Sequence, residues 1–77
     1  MKKIFIYILF FFIYSSSYFA QNEFDFAITN YTYAIELNPE DFEAYLNRGE
    51  IYKMLGKIAE AEADFAKYKE LTGQDAP

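Results

Sequence analysis

From residue 23 onward the chain alternates apolar and polar residues at three- and four-residue steps, in three runs separated by short breaks. Phe24, Ala27, Ile28, Tyr31, Ala34 and Ile35 form the first stripe and predict a helix over 23–37. The stripe stops at Asn38-Pro39, where proline lacks the amide that a helix interior needs but suits the first turn of a new helix. Asn38 is the expected cap of that helix, with Glu40 and Asp41 placed to complement its dipole. The second helix is predicted over 40–55, with Phe42, Tyr45, Leu46, Gly49, Tyr52 and Leu55 on its buried side. Glycine in a helix interior costs about 1 kcal/mol relative to alanine. Gly49 lies on the apolar stripe, so the pattern predicts a neighbouring helix passing close to it. Gly56 supplies a left-handed ending. Ile58, Ala61, Phe65, Tyr68 and Leu71 define a third helix over 58–71, and Gly73 closes it ahead of a short tail, residues 73–77.

The first twenty residues follow a different rule. Lys2 and Lys3 precede an unbroken apolar and aromatic run from Ile4 to Tyr14, and a serine cluster follows. Positive charge, apolar core and small residues in that order predict a secretory signal peptide. The run is shorter than the roughly 20 apolar residues that cross a bilayer. Cleavage is expected after Ala20 or, better matched to small residues, after Ser17. Two other readings stand beside it: a retained membrane anchor, or a structural helix that packs on the rest. The expected organisation is therefore 1–20 signal or anchor, 22–72 helical region and 73–77 tail. The expected location is the bacterial periplasm or the medium, with membrane attachment only through an uncleaved N-terminal segment.

Composition narrows the chemistry. The 77 residues contain no cysteine and no histidine, so disulfides, thiolate metal sites and the commonest general base are all missing. Five basic and twelve acidic side chains leave residues 21–77 at −7, which argues against nucleic acid as a partner. Gly49, Gly56 and Gly73 stand apart and form no phosphate loop. Glu60, Glu62 and Asp64 are the densest acidic cluster, but alternate helix positions diverge, so the cluster reads as a solvated face. Lys57 and Lys67 are the expected offsets to repulsion between Glu60 and Asp64. Tyr31, Tyr45 and Tyr52, at helical spacing, read as core. No catalytic, cofactor-binding or metal site is expected.

A shift of 34 positions lays the first helix on the third: Phe24 on Ile58, Ala27 on Ala61, Tyr31 on Phe65, Glu36 on Glu70 and Leu37 on Leu71. Residues 42–75 resemble one complete tetratricopeptide repeat, with Tyr45, Gly49 and Tyr52 in its first helix and Ala61 and Phe65 in its second. Residues 24–39 resemble the second helix of a preceding repeat, through Ala27, Tyr31, Ala34 and Pro39, and the linker Leu37-Asn38-Pro39-Glu40 is typical of the family. Three positions depart from the pattern: Arg48 for a usual leucine, Tyr68 for a usual alanine and Gly73 for a usual proline. Extended backwards, the register puts Phe11, Ser15 and Tyr18 at the large, small and tyrosine positions of a degenerate first helix.

The resemblance implies an all-α fold of antiparallel helix hairpins, about one and a half repeats of an α-solenoid. It also implies a non-catalytic role in binding a protein or peptide. By position, the concave surface is carried by Glu43, Leu46, Asn47, Glu50, Lys53 and Met54. Asn47 matches a place where some members hold a peptide backbone or carboxylate. The basic companions of a carboxylate clamp are missing, and Glu43 has the wrong sign. If residues 1–20 are removed, Phe24, Ala27, Ile28 and Tyr31 form an exposed N-terminal edge. Repeats of this type need neighbours, so a partner or a homo-oligomer is expected. The alternative is a structural fragment, or the terminal piece of a longer array, with no ligand of its own.

Overall fold

The computed structural model describes residues 21–77. The expectations for residues 1–20, whether signal, anchor or degenerate helix, lie outside the described residues. Three helices are described: α1 over residues 21–37, α2 over Phe42–Met54 and α3 over Ile58–Thr72. Among the described residues there is no strand, so this part of the chain is all-α.

The linker between α1 and α2 is built by side chains that hold stray amides. Asn38 N–H donates to the Ala34 carbonyl at 2.9 Å, and the Asn38 side chain accepts from Glu40 N–H at 3.2 Å. The cap of α2, however, is Asp41 and not Asn38: its Oδ1 accepts from Ala44 N–H at 3.2 Å. The helix consequently starts at Phe42, two residues later than expected, because Asn38 is consumed by its own turn. Tyr45 locks the linker to α2 by donating its hydroxyl to the Pro39 carbonyl at 3.2 Å.

The hairpin between α2 and α3 turns on Gly56, whose φ of 77° is left-handed as expected. Lys57 N–H reaches back to the Tyr52 carbonyl at 2.8 Å and Gly56 N–H to the Lys53 carbonyl at 3.1 Å, the paired bonds of a Schellman ending. Gly73, with φ 76°, ends α3 by the simpler left-handed cap, a single 2.7 Å bond from its N–H to the Lys69 carbonyl.

The two helices run antiparallel, since Phe42 at the start of α2 meets Tyr68 late in α3, ring centroids 6.1 Å apart and edge-on. They approach closely at Gly49. A Cβ placed there would lie 2.7 Å from Phe65 Cε1 and 3.1 Å from Asp64 Cβ, so any larger residue displaces the Phe65 ring. Ala44, Tyr45 and Ala61 are the buried apolar residues beside it. Two expected core positions sit further out: Phe42 is 42% and Ile58 50% exposed, because each opens its helix at the rim of the hairpin. Tyr68, bulkier than the resemblance leads one to expect, is half-buried against Phe42.

Candidate protein-binding surface

The centre of the fold is polar. Asp64, expected on a solvated face, is only 4% exposed. Arg48 meets it in a two-pronged ion pair, Nε to Oδ2 at 2.9 Å and Nη2 to Oδ1 at 2.7 Å. The third nitrogen, Nη1, donates to Thr32 Oγ1 of α1 at 3.0 Å. Tyr45 and Tyr52 flank the guanidinium, with its carbon 5.9 and 5.7 Å from their ring centroids. The planar fork of arginine matches the carboxylate, and the remaining nitrogen is used on a second helix. One side chain of α2 thus joins α1 to α3. The Asp64 carboxylate, bonded to the guanidinium, holds the Arg48 pKa above its ordinary value, against the opposing pull of burial. Among the described residues every buried side-chain nitrogen or oxygen has a partner. The group is therefore structural cement and offers no free acid or base.

The acidic cluster is accordingly split. Glu60 and Glu62 stay exposed on α3, while Asp64 turns inward. Lys67, expected to offset that cluster, pairs instead with Glu70 at 3.2 Å, and Lys69 pairs with Asp75 at 3.0 Å. No group of three metal-ligating side chains occurs among the described residues. No described helix is long and apolar enough to cross a membrane.

The six residues assigned to the concave face recur at three- and four-residue steps along α2. Glu43, Glu50, Lys53 and Met54 are exposed, and Leu46 and Asn47 are half-buried. This side of α2 is distinct from the one that meets α3 through Phe42, Arg48 and Gly49. Met54 is the one large apolar side chain standing well out on it, at 65% exposure. The edge residues of α1, Phe24, Ala27, Ile28 and Tyr31, are half-buried.

A hairpin closed by a glycine crossing, preceded at a 34-residue spacing by a helix of matching pattern, defines a helical-repeat protein. Family profiles agree: one described as TPR repeat matches residues 16–56, and one described as tetratricopeptide repeat matches residues 42–75. The chain belongs to the tetratricopeptide repeat family, whose fold is a non-catalytic module for protein–protein interaction. The chain is also similar to protein SLOW GREEN 1, chloroplastic, of Arabidopsis thaliana, with 42% identity over 55 residues. That match covers 71% of this chain but only 17% of the relative, so the likeness spans about a sixth of the longer protein. No solved structure matches the chain.

Proposed function

We propose that the protein is a small, exported, non-catalytic adaptor that holds an extended peptide of a partner protein along α2. The observation that carries the reading is the outward side of α2, where Glu43, Glu50, Lys53 and Met54 are exposed around the half-buried Leu46 and Asn47. Charges of both signs beside one apolar side chain suit a peptide of mixed polarity. The net negative sign of this face disfavours a C-terminal carboxylate. Export rests on the order of charge, apolar run and small residues in the first twenty positions.

Two experiments test the two halves. A photo-reactive residue in place of Asn47 is expected to cross-link a partner saturably, and the same residue in place of Glu62 is expected not to. Equal labelling from both positions removes the α2 reading. For export, the intact mass of protein from the exported fraction is expected to lack roughly twenty residues. A full-length mass from membranes places the protein on an anchor instead. The relative's chloroplast location is a property of that larger protein and does not enter the proposal.

A further inference from the structure

We infer that the outer face of α1 is a second docking surface, and that its ligand is a basic amphipathic helix from a partner protein. Phe26, Tyr33 and Leu37 are 69%, 62% and 69% exposed, and their steps of seven and four place them in one line along α1. They span about 16 Å at the helical rise. The fold does not demand them. At the 34-residue shift their counterparts on α3 are Glu60, Lys67 and Leu71, so the equivalent helix carries charge at two of the three positions.

The surroundings choose the partner's sign. Glu23 lies on one side of the stripe and Asp25 and Glu36 on the other, all three exposed. Residues 21–47 contain six acidic side chains and no lysine or arginine; the five basic residues of the described chain all fall at position 48 or beyond. An apolar helix setting its own stripe against Phe26, Tyr33 and Leu37 brings its flanking positions over these carboxylates, so lysine or arginine there is favoured and acid is rejected. The two exposed rings favour the same sign, since a guanidinium or ammonium stacks on an aromatic face. A second copy docking α1 on α1 brings acid against acid, which disfavours the chain itself as occupant. This surface lies on a different helix from the α2 face and stands whether or not that reading holds.

The test uses the full chain and a fluorescent, about 18-residue synthetic helix bearing a leucine stripe flanked by arginines. Its counterpart carries glutamate in the arginine positions. Anisotropy at about 50 mM salt is expected to show saturable binding of the basic peptide only, weakening severalfold as salt is raised. F26S/Y33S and, separately, E23K/E36K are expected to lower that affinity by about tenfold or more, with far-UV circular dichroism unchanged. The charge-reversal pair keeps the stripe intact, so it decides the matter if the serine pair loses structure. E60K/E62K on α3 is expected to leave binding within about twofold. Equal binding of both peptides, or binding indifferent to the α1 variants, overturns the proposal. So does failure of the basic peptide to bind, as when residues 1–20 or a second copy cover this face. A dimer by sedimentation that F26S/Y33S dissociates identifies the second copy as the occupant and overturns the basic-helix assignment.

Discussion

At the scale of single residues, the charged pair at the helix crossing couples two helices through one contact. Asp64 has a side-chain exposure of 6% and Arg48 17%, so removing either strands the other away from water. Loss of one partner of a buried pair costs about 3–5 kcal/mol, and the part-exposed guanidinium brings Asp64→Ala below that range, to about 2–3. The double variant R48L/D64A, which also restores the leucine usual in the family, is expected to recover at least half of that loss. Urea midpoints of the wild type, both single variants and the double variant form the test; strict additivity of the single losses contradicts the coupling. The raised Arg48 pKa sets the pH dependence. A cation whose folded pKa exceeds its unfolded value contributes stability fully below the unfolded value and loses it only on the alkaline side. The Arg48 contribution is therefore expected to stay constant from about pH 7 to 9, far below the arginine range. Gly49 makes the opposite kind of prediction. Alanine gains about 1 kcal/mol of helix propensity, yet its Cβ falls 2.7 Å from Phe65 and 3.1 Å from Asp64. The clash and the disturbed ion pair win, so Gly49→Ala is expected to lower stability by about 1–2 kcal/mol, and F65L to return part of it. A higher thermal midpoint for Gly49→Ala contradicts the close crossing.

At the scale of elements, caps decide where the helices begin and end. Asp41→Ala removes the one side-chain acceptor on the amides of the first turn of α2 and is expected to cost about 1 kcal/mol. Asn38→Ala loses only a turn bond to Glu40 and is expected to cost less. Hydrogen exchange at the Ala44 amide distinguishes them: it accelerates in the first variant and not in the second. The same elements show how much the sequence discloses. Periodicity marks both ends of α2 and α3 and the end of α1 to within two residues, and Gly49 and Gly56 announce their roles because glycine on a stripe and glycine after one have few other uses. The pattern assigns the cap to Asn38 where the structure uses Asp41, because both are good acceptors in series and only the backbone path says which amide each one meets. Asp64 reads as surface because it stands among Glu60 and Glu62, and its partner lies sixteen positions earlier on another helix. A signal was present nonetheless. Arg48 stands three after Tyr45 and four before Tyr52, and Asp64 three after Ala61 and four before Tyr68. Two opposite charges, each inside an apolar stripe, imply a buried pair. The face of α2 proposed to bind is legible only through family register, since its pattern of acids and one lysine resembles any solvated helix side.

At the scale of the molecule, two electrostatic terms of opposite sign meet, and salt separates them. The Arg48–Asp64 pair is shielded from water, and ions in solution screen it little. The excess of acid is the reverse case: residues 21–47 carry six carboxylates without one basic side chain, and five of the six are exposed. Their mutual repulsion opposes holding α1 and the start of α2 together, and it weakens as the Debye length falls from about 20 Å to a few ångströms. Only two further ion pairs are described, Lys67–Glu70 and Lys69–Asp75, both on exposed groups of the α3 end and each of small value. Repulsion is therefore the larger screened term. Raising sodium chloride from about 20 to 500 mM at pH 7 is expected to move the urea midpoint upward, by about 0.5–1 kcal/mol in unfolding free energy. E23K/E36K, which removes part of the repulsion by sequence, is expected to raise the low-salt midpoint and to flatten the salt dependence. A midpoint that falls with salt assigns the stability to exposed pairs instead, and the acidity of α1 then has no cost for a basic partner to relieve.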